Sequence, residues 1–128
     1  MATSSTYNAT GAAKVAALIV AASWWVQSGT GTTAAAKTQT ALVTASAAAH
    51  ACTNGSGHGV LATTTDANDT VTFVSTTTET GAITEVGVFD ASGGSGTAVM
   101  LQRHVFDAIN VASGDSIEFT IKHQQVAA

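Results

Sequence analysis

The chain has 128 residues, 45% hydrophobic and only 9% charged, with a formal net charge of −4. An ordinary soluble domain carries roughly 25% charged residues; here Thr, Ala, Ser and Gly stand where Lys and Glu would keep copies apart. Four Lys and Arg residues spread singly make no basic patch and argue against nucleic acid, and one cysteine, Cys52, allows neither an intrachain disulfide nor a zinc-knuckle spacing.

Residues 1–10 read as an extended polar arm, with Ala2, Thr3, Ser4, Ser5, Thr6, Tyr7 and Asn8 available to reach a neighbour. Residues 11–128 read as one domain, long enough for a hydrophobic core. Thr10 is placed to N-cap a helix over about residues 11–22, in which Val15, Leu18, Ile19 and Ala22 make one apolar stripe. The run "VAALIVAASWWV" is too short to span a bilayer, and no basic segment precedes it as in a secretory leader. The glycosylation sequons at Asn8, Asn54 and Asn68 are then chance matches in a Thr-rich chain.

"SWWVQ" suits a strand, "GTGTTAAAK" a loop, and "TQTALVTASAAAHA" extended structure in its second half. "CTNGSGHG" is a turn, after which the pattern becomes β throughout. "VLATTT", "TVTFVSTTT", "AITEVGVFD", "AVMLQRHVF" and "SIEFTIKH" are the strands, with "DAND" a turn and "DAINVASGD" a connection. Val71 and Phe73 share one face, as do Ile117, Phe119 and Ile121. Short strands with frequent turn signals predict a mainly β fold, an antiparallel jelly-roll-like β-sandwich with one short N-terminal helix. Its expected core is Ile83, Val86, Val88, Phe89, Val105, Phe106, Ile117, Phe119 and Ile121.

Chemistry-bearing motifs are sparse. "GTGTTA" mimics a dinucleotide fingerprint but lacks the βαβ unit and the acidic residue about 20 positions on, so it reads as a tight loop. His50, Cys52 and His58 fall short of the four ligands of a structural zinc site. His104 and His123, on neighbouring strands, are placed to pair, although strand histidines are usually packed or solvated. Ser116 has no nucleophile-elbow context. As a carboxylate pair, Glu85 with Asp90 would point to opposite strand faces; Glu118 is the other nominee for Glu85, and no aromatic sugar cleft accompanies either pair. No catalytic residue, cofactor or metal is assigned.

Glu85 and Gly87 stand inside an otherwise apolar strand. Alternation sets Ile83, Glu85, Gly87 and Phe89 on one face and Thr84, Val86 and Val88 on the other. A carboxylate there needs a fixed partner, with backbone N–H groups, a hydroxyl or Arg103 as the candidates. Gly87 leaves room for an aromatic such as Trp24 or Trp25.

Together, "WVQSGTGTTAAAKTQTALV" and "AITEVGVFDASGGSGTAVMLQRHVFDAINVASGDSIEFTIKH" resemble a group of small tailed-bacteriophage structural proteins and fibre-attachment domains. Shared features are the Gly-Thr-Gly-Thr-Thr loop, the Thr-Glu-hydrophobic-Gly-hydrophobic-Phe strand, the Gly-rich hairpin and the closing Gly-Asp-Ser strand. The chain departs from that pattern in lacking a proline after the loop and a glutamate after Thr-Ala-Leu. The resemblance implies a non-catalytic virion component with Glu85, Gly87, Phe89, Arg103 and Asp115 as its structural signature. The expectation is a capsid decoration (cement) protein, a homo-oligomer and specifically a trimer, bound to the major capsid protein or other virion proteins and assembled in the bacterial host cytoplasm. The runner-up is a neck, tail or tail-fibre attachment protein, and the outside alternative a soluble carbohydrate- or metal-binding sandwich. Neither nucleic acid nor membrane is expected as a partner.

Overall fold

A computed structural model describes residues 4–62 and 68–126. Helix α1 (Ala9–Val20) is followed by β1 (Trp25–Gly29), β2 (His50–Ala51), a 3-10 turn (Gly55–Gly57) and β3 (Val60–Ala62). Four longer strands complete the chain: β4 (Asn68–Thr78), β5 (Gly81–Phe89), β6 (Met100–Val111) and β7 (Ser116–Val126). They form two antiparallel sheets, ordered β2-β1-β5-β6 and β3-β4-β7, packed as a β-sandwich.

The period-two pattern is cleanest where β4 pairs with β7. Phe73 lies opposite Ile121 and Ser75 opposite Phe119; these inward positions are buried, while Glu118, Thr120 and Lys122 face solvent. Trp24, Val26, Cys52, Val71, Phe73, Ile83, Val86, Val88, Val111, Phe119 and Ile121 meet as one core, with Ala16 of α1. Trp24 packs against Phe73 at 5.7 Å between ring centroids and donates its indole N–H to the Ile19 carbonyl, 2.7 Å away. That bond ties the helix end to the core and satisfies a donor that burial would otherwise strand. Each large apolar side chain buried here contributes on the order of 1.5–3 kcal/mol.

Several expectations change. The helix begins at Ala9 with Asn8 as its N-cap, so Thr10 lies in the first turn. Its buried face is Ala12 and Ala16, with Ile19 and Val20 half-buried; Val15 and Leu18 point outward. Small alanines let the helix approach β4 and β7 closely, and that proximity outweighs the larger stripe. β6 continues through Asp107–Val111, where a connection was expected, because its outer residues still find partners on β5. Val105 lies outside the core, and Phe89 is fully buried but on the other side of its sheet. "TQTALVTASAAAHA" is mostly irregular, with a single bridge from Ala45 to Gly29 before β2. The end of "VLATTT", the start of "DAND", and the arm residues Ala2 and Thr3 lie outside the described residues.

Candidate functional site

β5 is buried along Ile83–Phe89 because both faces of its sheet are covered. One face meets the other sheet. Beneath residues 30–49 on the opposite face, register places Trp25 beside Phe89, Gln27 beside Gly87, and Gly29 beside Glu85. The alternation breaks at Thr84, beside a register shift against β6. Ile83 joins Val86 and Val88 in the core, whereas Thr84 and Glu85 both bond to Gly31.

Glu85 is fully buried, and four donors converge on it. Oε1 accepts from the Gly31 and Thr44 backbone N–H groups at 3.0 and 2.8 Å. Oε2 accepts from the Val43 N–H at 3.1 Å and from Arg103 Nε at 2.8 Å. This is the one ion pair among the described residues. Arg103 also donates through Nη1 to the Thr33 carbonyl at 2.9 Å and to Gln39 Oε1 at 3.0 Å. Burial pushes the Glu85 carboxyl up, but the bonds from Thr44, Arg103, Val43 and Gly31 outweigh it and hold the group below its ordinary range.

The Gly-x-Gly loop is the cradle of this carboxylate. A Cβ on Gly31 would lie 2.6 Å from Glu85 Oε1, and one on Gly29 would lie 2.5 Å from the same oxygen and 2.2 Å from the Thr44 carbonyl. Only glycine lets both backbones come so close. The phosphate-loop mimicry thus has a local cause: tight backbone around an anion, the anion being the protein's own side chain.

The same covering segment is fastened elsewhere. Gln27 donates to the Ala47 carbonyl at 2.7 Å and accepts from the Ser95 N–H at 2.8 Å. Ser95 Oγ accepts from the Leu42 N–H at 2.9 Å. Leu42 is buried over Gly87, where a Cβ would meet Leu42 Cδ2 at 3.1 Å and Phe89 Cε2 at 3.0 Å. The space at Gly87 therefore serves Phe89 and Leu42, not Trp24 or Trp25. A second buried acid, Glu79, accepts from Ser28 Oγ and from Ser46 Oγ, the latter at 2.8 Å.

The other nominees stand apart. Asp90, itself exposed, closes the β5–β6 hairpin by accepting from the Val99 N–H at 2.8 Å. Glu118 is exposed on the other sheet, and Ser116 begins β7 in the open. Asp115 is exposed in the turn before β7, where its N–H donates to the Ala112 carbonyl at 3.0 Å. Burial pushes the Cys52 thiol up to about 11, and His58 Nδ1 is 2.8 Å from the Ala22 carbonyl. Among the described residues no three His, Cys, Asp or Glu side chains gather as a metal site would need.

His104 and His123 are linked through a side chain between them. Gln102 Oε1 is 2.6 Å from His123 Nδ1, and its Nε2 is 2.7 Å from His104 Nε2. Gln125 continues from His123 Nε2 at 2.6 Å and accepts from the Tyr7 hydroxyl at 2.8 Å. Burial holds His123 below its ordinary range, which suits a neutral ring accepting on one nitrogen and donating on the other. The described part of the arm, residues 4–8, is exposed and fastened to β7 by Tyr7.

Sequence reasoning missed Gly31, Val43, Thr44, Leu42 and Gln39. The available signal was the Gly-x-Gly pair itself, which demands close backbone approach without naming what approaches. Chemically, the centre immobilises charge: its four donors occupy a carboxylate sealed from solvent. No helix among the described residues is long and apolar enough to cross a membrane. Comparison with family models, curated proteins and solved structures finds no match for this chain.

Proposed function

We propose that this chain is a non-enzymatic structural protein of a tailed-bacteriophage virion, acting as a capsid decoration protein that bridges lattice units of the head. The observation that carries the reading is the surface. With only 9% charged residues in the chain, exposed positions such as Thr32, Thr33, Ala34, Ala35 and Ala36 are small and uncharged. Such side chains lose little rotamer entropy on ordering and let a neighbour's backbone come close. The buried Glu85 centre supports the reading by spending its charge on internal fastening. The motif resemblance to small phage structural proteins points the same way.

In this reading the protein works as a homo-oligomer, a trimer, assembled in the host cytoplasm and bound to the major capsid protein. One foot bound to the lattice holds the others at high effective concentration, so modest contacts suffice. Copies that bind the assembled shell and not its free subunits shift the equilibrium toward the intact particle. Mapping the protein on purified particles tests this. Many copies spread over the head are expected, and a single ring at one vertex would overturn decoration in favour of a neck or tail position.

A further inference from the structure

Among the described residues β7 pairs with a strand on one side only. Within its sheet it is the edge strand beside β4, and no strand pairs with its other edge among the described residues. The Lys122 carbonyl accepts from Gln102 Nε2 of β6 at 3.3 Å, which shows that Lys122 turns its backbone groups toward that free edge. By alternation Glu118 and Thr120 do the same. Their side chains are exposed on the outer face.

We propose that two copies of this chain join antiparallel through the free edges of β7, about a two-fold axis at Thr120. The three-stranded sheets then become one continuous six-stranded sheet. Charge selects this register. Centred on Thr120, Glu118 of each copy stands opposite Lys122 of the other, twice over. Centring on residue 118 sets two glutamates together, and centring on 122 sets two lysines together; like charges directly opposite are destabilising. Among the described residues of the monomer, Glu118 has only a 3.5 Å contact from Thr76 Oγ1, and Lys122 takes part in no ion pair.

The inward side chains fit the same register. Phe119 comes opposite Ile121 of the second copy, and Ile117 opposite its His123. Beside this edge lies an open cleft of about 600 Å³, lined by Phe106 and Ile109 of β6 and by Ile117, Phe119 and Ile121 of β7. Ile109 is 46% exposed there. A second copy at the edge covers this cleft and supplies ladder bonds to backbone groups that face water in the monomer. The long Gln102 bond to Lys122 gives way to the N–H of Glu118 from the second copy. The contact is isologous, so this edge joins two copies and no more; in the virion reading it links trimers that are built through other surfaces. It rests on the β7 edge and not on the virion reading.

The test is a charge-swap cycle on the whole chain, read as molar mass against concentration. Glu118→Lys or Lys122→Glu alone is expected to weaken self-association roughly tenfold or more, and the double swap to restore it. Thr120→Cys is expected to form a disulfide-linked dimer on oxidation, with the wild type, whose Cys52 is buried, giving none. A wild type that stays monomeric at high concentration would overturn the proposal. So would association insensitive to both single swaps, or a Thr120→Cys protein that does not cross-link.

Discussion

Glu85 carries its charge where water cannot reach it, and the surrounding chain is shaped to that fact. Two glycines give up their side chains to it, three backbone N–H groups turn toward it, and Arg103 supplies the opposite charge. Replacing it with Gln is expected to cost about 3–5 kcal/mol, because Arg103 would be left as an uncompensated buried charge. The amide nitrogen would also face a donor, whichever way it turned. The pH dependence follows from the direction of the shift. Glu85 ionises more readily in the fold than in the unfolded chain, whose ordinary value is 4.5. Its contribution to stability is therefore complete above that pH and is lost as pH falls through the lower folded value. Denaturant midpoints measured across acid pH should show this loss in the wild type, and Glu85→Gln should lack that part of the slope.

At the scale of elements, residues 30–49 form an irregular layer over one face of the β1–β5 pair. Its hold is polar at Glu85, Gln27 and Ser95, and apolar at Leu42 over Gly87 and Phe89. Leu42→Ala is expected to destabilise the protein by about 2–3 kcal/mol, the low end for a buried leucine because a surface layer can settle into the space. Thermal or denaturant unfolding checks this. The β4–β7 pair was legible in the sequence because one of its faces is buried and the other wet, so alternation is visible in the residues. The covering layer was not, since it has no periodicity and its partners lie some tens of residues away in sequence. The helix was legible as a helix from its alanines, but its face was misassigned: hydrophobic size favoured Val15 and Leu18, whereas close packing favoured Ala12 and Ala16. Glu85 was recognisable as a buried charge needing a partner, and Arg103 as a candidate. That Gly29 and Gly31 complete the same site is a fact of tertiary proximity that no local pattern encodes.

For the whole molecule, two layers of fastening have different natures. The sandwich is held by the apolar core around Phe73, Val88 and Phe119, and the covering segment by a carboxylate that gathers three amides and a guanidinium. Loss of the first unfolds the chain. Loss of the second should release residues 30–49 from the sheet while β4 and β7 remain paired, since local opening follows the weakest cooperative unit. The most direct measurement is amide hydrogen exchange at Gly31, Val43 and Thr44, compared between wild type and Glu85→Gln under conditions where both are folded. Protection lost at these three amides, with the Phe73 and Ile121 amides still slow, is the expected result. Unchanged protection at Gly31, Val43 and Thr44 would contradict the assignment of Glu85 as the clasp of this fold.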